Sequence, residues 1–188
     1  MQSPRPGTPT DAQGEPIDPA AASLPPESGT QESIDLNLYD QPGHLFRRAQ
    51  QISVSMFHEI LGSDVTPIQY AILRMLHERP RVDQVTLARL TGLDNSTTAT
   101  TAARLEAKGL LTREVVSTQR RQRSLFLTAQ GEEALAAMAP GAHRLNAALL
   151  GMLPGEDGEQ LMRLLRKFVH LNNAQSRAPL KVDDIQAE

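Results

Sequence analysis

Apolar positions change period several times along this chain, and each change marks an element. From residue 41, Leu45, Ala49, Ile52, Met56 and Ile60 recur at helical spacing, with Phe46, Ser53 and Phe57 widening the stripe. The pattern predicts a long first helix with Asp40 as N-cap, Pro42 in its first turn and Gly62 at its end. Thr66-Pro67-Ile68-Gln69 has the form of a capping box with proline at N1, so a second helix starts there and runs to Pro80. Its buried face is predicted to be Ile68, Ala71, Ile72, Met75 and Leu76. Asp83 caps a short third helix, with Val85, Leu87, Ala88 and Leu90 inward and Gly92 closing it. The turn L-D-N-S leads straight into a helix from Ser96 to Lys108, packed through Ala99, Ala102, Ala103 and Leu105. Two helices joined by so short a turn predict a helix-turn-helix.

After Gly109 the pattern becomes strand-like. Residues 111–116 and 124–127 are separated by S-T-Q-R-R-Q-R, which predicts a two-stranded hairpin with Arg120, Arg121 and Arg123 at its tip. Thr128 caps a fifth helix through Glu132, Leu135 and Met138, where Pro140-Gly141 predicts a kink or break. Leu145, Leu149, Leu150 and Met152 continue the pattern to Pro154-Gly155. A last helix, about Glu156 to Asn173, is expected to bury Leu161, Leu164, Leu165, Phe168 and Leu171. The predicted fold is mostly α with a small β-hairpin wing: a winged helix-turn-helix with N- and C-terminal dimerisation helices. Residues 1–36 read as a disordered, proline-rich acidic tail and 37–65 as the N-terminal dimerisation helix. The winged unit spans 66–128, the C-terminal dimerisation helices 129–175, and a flexible tail 176–188.

Charge sharpens this picture. The formal net charge of -3 looks wrong for a partner of nucleic acid, but residues 1–40 carry seven acids against Arg5 alone. The other residues therefore hold 18 basic and 15 acidic side chains, a mildly basic body. No run of 18 apolar residues and no secretory leader is visible, and a cytoplasmic location is expected. The absence of cysteine excludes disulfides and thiol-based redox sensing.

The candidate chemistry sits on the fourth helix. Four of the six residues from Ser96 to Thr101 are threonine, although β-branched side chains lose χ1 freedom in helices. Thr97, Thr100, Thr101, Arg104 and Lys108 share one face. Hydroxyls contact phosphates and base edges, and their methyls pack on thymine, so this face suits a DNA groove. A solvated face would more usually carry Glu and Lys. The hairpin arginines suit a neighbouring minor groove.

T-P-I-Q-Y-A-I-L, L-A-R-L-T-G-L-D-N-S-T-T, R-L-E-A-K-G-L-L-T-R, Q-R-R-Q-R-S-L-F-L-T and A-Q-G, in this order, resemble the MarR family of bacterial transcription regulators over residues 41–173. The resemblance implies a winged-helix homodimer on a palindromic operator, usually a repressor released by a small molecule. It implies recognition-helix contacts from Asn95, Ser96, Thr97, Thr100, Thr101 and Arg104, and wing contacts from Arg120 and Arg121. Two positions depart from the family pattern: Gln119 replaces the usual wing Asp, and Thr101 stands where a long basic residue is common. P-G-H-L-F-R-R-A-Q-Q-I followed by T-P-I-Q-Y is similar to members that control aromatic-acid breakdown, including nicotinate degradation. That implies an aromatic carboxylate effector, such as a hydroxylated nicotinate, between the dimerising helices and the winged unit. The polar groups expected to hold it are His44, Arg48, Gln51, His58, Tyr70 and Arg74, of which an arginine would take the carboxylate.

Functions of other classes find less support. There is no G-x-x-x-x-G-K, no G-x-S-x-G and no metal-ligand cluster, so an enzyme is not expected and no cofactor is implied. The five histidines form no i, i+4 pair, which disfavours a metal site. An interaction module that has kept the fold but lost DNA binding remains the alternative, as does a regulator with a non-aromatic effector or none.

Overall fold

A computed structural model describes residues 37–117 and 122–181. The predicted tail of 1–36, Arg120, Arg121 and residues 182–188 therefore lie outside the described residues. Six helices and three short strands follow in the order α1 (Pro42–Leu61), α2 (Pro67–Glu78), β1 (Val82–Asp83), α3 (Gln84–Thr91), α4 (Asn95–Ala107), β2 (Leu111–Ser117), β3 (Gln122–Leu127), α5 (Ala129–Gly151) and α6 (Asp157–Leu171). Among the described residues no helix is long and apolar enough to cross a membrane.

The first helix starts later than predicted. Asp40 is not its N-cap but ends a 3-10 turn, Leu38–Asp40, which the Asn37 side chain caps by accepting from the Tyr39 N–H at 3.1 Å. The helix opens at Pro42, whose missing N–H is no loss in a first turn. Gly62, at φ +83°, follows its end as expected. The capping box of α2 is fully formed: Gln69 N–H donates to Thr66 Oγ1 at 3.2 Å and Thr66 N–H to Gln69 Oε1 at 3.1 Å. That duty turns Gln69 inward, and the buried face becomes Gln69, Ile72, Leu73 and Leu76. Ile68, expected inside, is 41% exposed.

Asp83 and Asp94 start the two central helices in the same way. Asp83 Oδ1 accepts from the Val85 and Thr86 N–H groups at 2.9 and 3.0 Å, while its Oδ2 accepts from the Thr86 hydroxyl at 2.9 Å. Asp94 Oδ1 accepts from Thr97 N–H at 2.7 Å and its Oδ2 from the Thr97 hydroxyl, also at 2.7 Å. Both are D-x-x-T caps in sequence, and each satisfies donors that a helix start leaves unpaired. Between them, Gly92 at φ +68° closes α3: Gly92 and Leu93 N–H return to the Arg89 and Ala88 carbonyls. Val85 was expected inward, but as the second residue of α3 it lies 50% exposed, and Leu87 and Ala88 carry the burial.

Packing on α4 also differs from expectation. Thr98, Ala102 and Leu105, at i, i+4 and i+7, are fully buried, whereas Ala103 is exposed and Ala99 half-buried. A threonine can enter the core here because its hydroxyl donates to the Asp94 carbonyl at 2.9 Å, leaving no unsatisfied donor. The stripe packs into a cluster that includes Ile72, Leu73, Leu76, Leu87, Leu111, Leu125 and Leu135.

The wing has three strands rather than the predicted two. In the antiparallel order β1-β3-β2, Val82 pairs with Leu125 and Asp83 with Ser124, while β2 pairs with β3 from Leu111↔Leu127 outward. A two-residue strand has no alternation to read in sequence. Arg81, at φ +68°, turns the chain into it and holds its guanidinium 5.8 Å from the Phe126 ring centre.

The fifth helix does not break at Pro140, one of the two outcomes expected there; it is continuous from Ala129 to Gly151. Proline inside a helix costs about 3 kcal/mol. Tertiary contact on both sides of it offsets that cost: Leu135, Gly141 and Leu145 are buried, and a Cβ on Gly141 would lie 3.1 Å from Leu61 Cγ at the end of α1. The sixth helix shows the largest departure. Leu161, Leu164, Phe168 and Leu171, expected to be buried, are all exposed in the single chain. Beyond it, the segment read as a flexible tail folds back: Asn173 exchanges two 2.9 Å hydrogen bonds with the Leu180 backbone.

Gly131 sits where a Cβ would collide with the Leu110 carbonyl group. Gly131→Ala is expected to lower stability by about 1–3 kcal/mol, a fall of several degrees in the unfolding midpoint at about 2–4 °C per kcal/mol, checked by thermal denaturation followed by circular dichroism. Asp94 supplies a pH test. The Thr97 backbone and hydroxyl hydrogen bonds hold its carboxyl below the ordinary carboxylate value. Its stabilising contribution is therefore present above that ordinary value and is lost as pH falls through the lowered one. Asp94→Ala should be less stable than the unaltered chain at neutral pH, and the two melting curves should converge in strong acid.

Candidate nucleic-acid interface

With Thr98, Ala102 and Leu105 inward, helix α4 presents the opposite side. Asn95, Ser96, Thr100 and Arg104 are exposed, and Thr97 and Thr101 half-buried. Ser96, Thr97, Thr100, Thr101 and Arg104 thus share one surface, whereas Asn95, in line with Thr98 and Ala102, is exposed at the helix start. Asp94 gives this surface a detail that periodicity did not reveal. Because the Thr97 hydroxyl donates to Asp94 Oδ2, its proton is committed, and Thr97 meets a partner with its methyl group or as an acceptor. The signal for Asp94 was in the sequence, an aspartate three residues before a threonine at a helix start.

Three residues, Gly92 to Asp94, separate α3 from α4. This is the helix-turn-helix arrangement, in which the second helix enters a major groove and the first crosses the backbone. The wing is fixed to it at two points. Asp83 pairs with Ser124 as part of β1 and caps α3 with its side chain, so strand and helix share one residue. At the other end, Gly109 (φ +73°) reverses the chain after α4, with Leu110 N–H returning to the Leu105 carbonyl at 3.0 Å. Thr128 then clamps the junction: its hydroxyl donates to the Gly109 carbonyl at 2.5 Å and accepts from Gly131 N–H at 3.0 Å. The backbone of Arg123 lies in β3, paired with Val115, next to a bulge between Val115 and Ser117. Arg120 and Arg121 lie outside the described residues.

The six effector-binding candidates do not gather at one point in a single chain. His44 and His58 stand 14 residues apart on α1, about 21 Å at 1.5 Å per residue. His44 Nδ1 lies 3.2 Å from Arg47 Nη2, Arg48 and Gln51 are exposed, and Arg74 is paired with Glu78 on the surface at 2.7 Å. Tyr70 stacks edge-on to Phe57, ring centres 5.8 Å apart. His58 alone of the six lines a groove of about 540 Å³ between α1, the start of α2 and α4. Its other walls include Gln50, Val54, Ile68, Thr100 and Arg104. Gln50 was not singled out in the sequence and Ile68 was read only as core, since only the tertiary packing of α1 and the start of α2 places them beside α4.

This architecture and sequence have known counterparts. A family model described as MarR family matches residues 63–122. The transcriptional regulator HosA of Escherichia coli O157:H7 is 33% identical over 136 residues, covering 72% of this chain and 99% of that protein. Among solved structures, the Streptomyces coelicolor regulator PcaV in complex with its natural ligand superposes with a TM-score of 0.67 and 31% identity, covering 72% of this chain and 96% of that one. Bordetella bronchiseptica BpsR, studied for the regulation of its DNA binding by 6-hydroxynicotinic acid, has the same TM-score at 28% identity, covering 71% and 96%. The helix-turn-helix, its three-stranded wing and these likenesses together establish that the chain belongs to the MarR family of winged-helix transcriptional regulators.

Proposed function

We propose that this regulator is a repressor that binds a palindromic operator as a homodimer and leaves it when a small aromatic carboxylate, of the hydroxynicotinate type, binds. The observation that carries the reading is the groove in which the DNA-facing side of α4 and the dimer-side helix α1 share one space. Arg104 offers a bidentate partner for a carboxylate, His58 and Gln50 offer hydrogen bonds, and Val54 and Ile68 offer an apolar wall for a ring. A ligand lodged there competes for the groups that face DNA and presses α4 away from α1. Its power to release DNA equals its preference for the unbound state of the protein. BpsR supports an aromatic ligand by likeness, since its DNA binding is regulated by 6-hydroxynicotinic acid. Of the predicted pocket, this reading keeps His58 and adds Gln50 and Arg104.

The homodimer is supported by surface that one chain leaves uncovered. Leu45, Phe46 and Ile52 on α1 and Leu161, Leu164, Phe168 and Leu171 on α6 are exposed, and the Phe46 and Phe168 rings meet at 5.1 Å, joining the two sets. An apolar surface of that kind marks an interface. A two-fold dimer places two copies of α4 about 34–36 Å apart, one helical turn of duplex, which is why the operator is palindromic.

Leu164→Glu with Phe168→Glu is expected to yield a monomer by sedimentation and to abolish binding to an operator selected from a randomised duplex pool. On the same duplex, Arg104→Ala should weaken binding at least tenfold and reduce the salt slope by about 1.8, the loss of one phosphate contact of about 0.9 from each subunit. His58→Ala should keep operator affinity within about twofold yet need severalfold more 6-hydroxynicotinate for release, measured by fluorescence anisotropy. An unaltered release curve would remove His58 from the effector site.

A further inference from the structure

The residues after α6 are the least expected ordered part of the molecule. Asn173 holds both the N–H and the carbonyl of Leu180, and Ala178 N–H donates to Ser176 Oγ at 3.1 Å, so the segment is tied into a closed loop. Its side chains are sorted: Ala178 and Leu180 are half-buried, while Arg177 and Lys181 are exposed. The loop forms one wall of a cleft of about 390 Å³ whose other wall is Val85, Ala88 and Arg89 on α3 with Leu93, Asp94 and Asn95 at the start of α4. Val85, anomalously exposed for an apolar residue on the short third helix, faces this cleft.

Position and charge both point to duplex DNA as the partner. In a helix-turn-helix the first helix crosses the sugar-phosphate backbone and the start of the second enters the groove. A cleft bounded by α3 and by Asp94 and Asn95 therefore borders the phosphate track beside that groove. Arg89, Arg177 and Lys181 line it against a single acid, Asp94. That carboxylate is turned onto the Thr97 N–H and hydroxyl, which already engage its negative charge. Two exposed cations on a loop closed by its own hydrogen bonds need little further ordering to meet phosphates.

We propose that the C-terminal segment 176–181 is part of the DNA-binding surface, with Arg177 and Lys181 contacting backbone phosphates beside the groove that α4 enters. The inference rests on the DNA-binding reading above and extends the interface beyond the winged unit. Phosphate contacts carry no sequence information, so the contribution is the same on any duplex.

The test uses the full chain and a fluorescein-labelled 30-base-pair duplex of mixed sequence, with anisotropy titrations at several salt concentrations. Removing two phosphate contacts from each subunit of the homodimer in Arg177→Ala/Lys181→Ala should lower the slope of log affinity against log salt by about 3.6, at about 0.9 per contact. Affinity should fall about tenfold or more at low salt, with the melting curve unchanged. Arg177→Lys/Lys181→Arg, which keeps both charges, should retain the original slope. An unchanged slope in the alanine variant would overturn the proposal. So would tighter binding, since the segment would then be competing with DNA for the cleft. Failure of the unaltered chain to bind the duplex would instead overturn the DNA-binding reading itself, and this inference with it.

Discussion

A thirteen-residue helix can turn only one stripe into a core, and on α4 that stripe is Thr98, Ala102 and Leu105. Each is fully buried against α2, α3 and the sheet. Once they are inside, geometry leaves Ser96, Thr100 and Arg104 outside, because residues at 3.6 per turn have fixed relative directions. The face that meets a partner is thus determined by the face that meets the core. Thr98 makes this arrangement possible: with its hydroxyl bonded back to the Asp94 carbonyl it behaves as a small apolar residue, and truncating well-packed neighbours such as Leu105 would cost about 2–5 kcal/mol.

Repeated local chemistry then aligns the elements around that helix. Asp83 and Asp94 cap α3 and α4 by the same D-x-x-T pattern, and Gly92 and Gly109 end them with left-handed residues. Each cap also serves as a joint. Asp83 belongs to β1, Gly109 accepts the Thr128 hydroxyl, and Gly131 lets the start of α5 lie against Leu110. Close-packed joints of this kind transmit displacement rather than absorb it. On the proposed reading, a ligand in the groove between α1 and α4 would act on a rigid winged unit, and its effect would reach the wing as well as α4.

The long helices follow a different logic. Only Phe57 is fully buried on α1 and only Gly158 on α6, while both carry rows of exposed apolar side chains. The chain thus separates a unit with its own core from an apolar surface left exposed in the single chain. The body, with 18 basic against 15 acidic side chains, is mildly basic, as a partner of phosphates requires.

Local signals in the sequence were enough for the order of the helices and of strands β2 and β3, the capping box at Thr66, the Asp83 cap, the Gly92 and Gly109 stops and the polar face of α4. These depend on contacts within four or five residues, which the chain spells out directly. Family membership was legible for a related reason, since the motifs are the caps, turns and packing positions of the same winged unit. Tertiary structure alone decided the rest. Pro140 stays inside a helix because α1 packs across it, β1 exists because β3 lies beside it, and His58 shares a groove with Arg104 because α1 crosses the start of α2. The amphipathic stripe of α6 was correctly seen, yet its burial was not: hydrophobic period tells which side of a helix avoids water, and only the neighbouring chain, its own or another, determines what covers it.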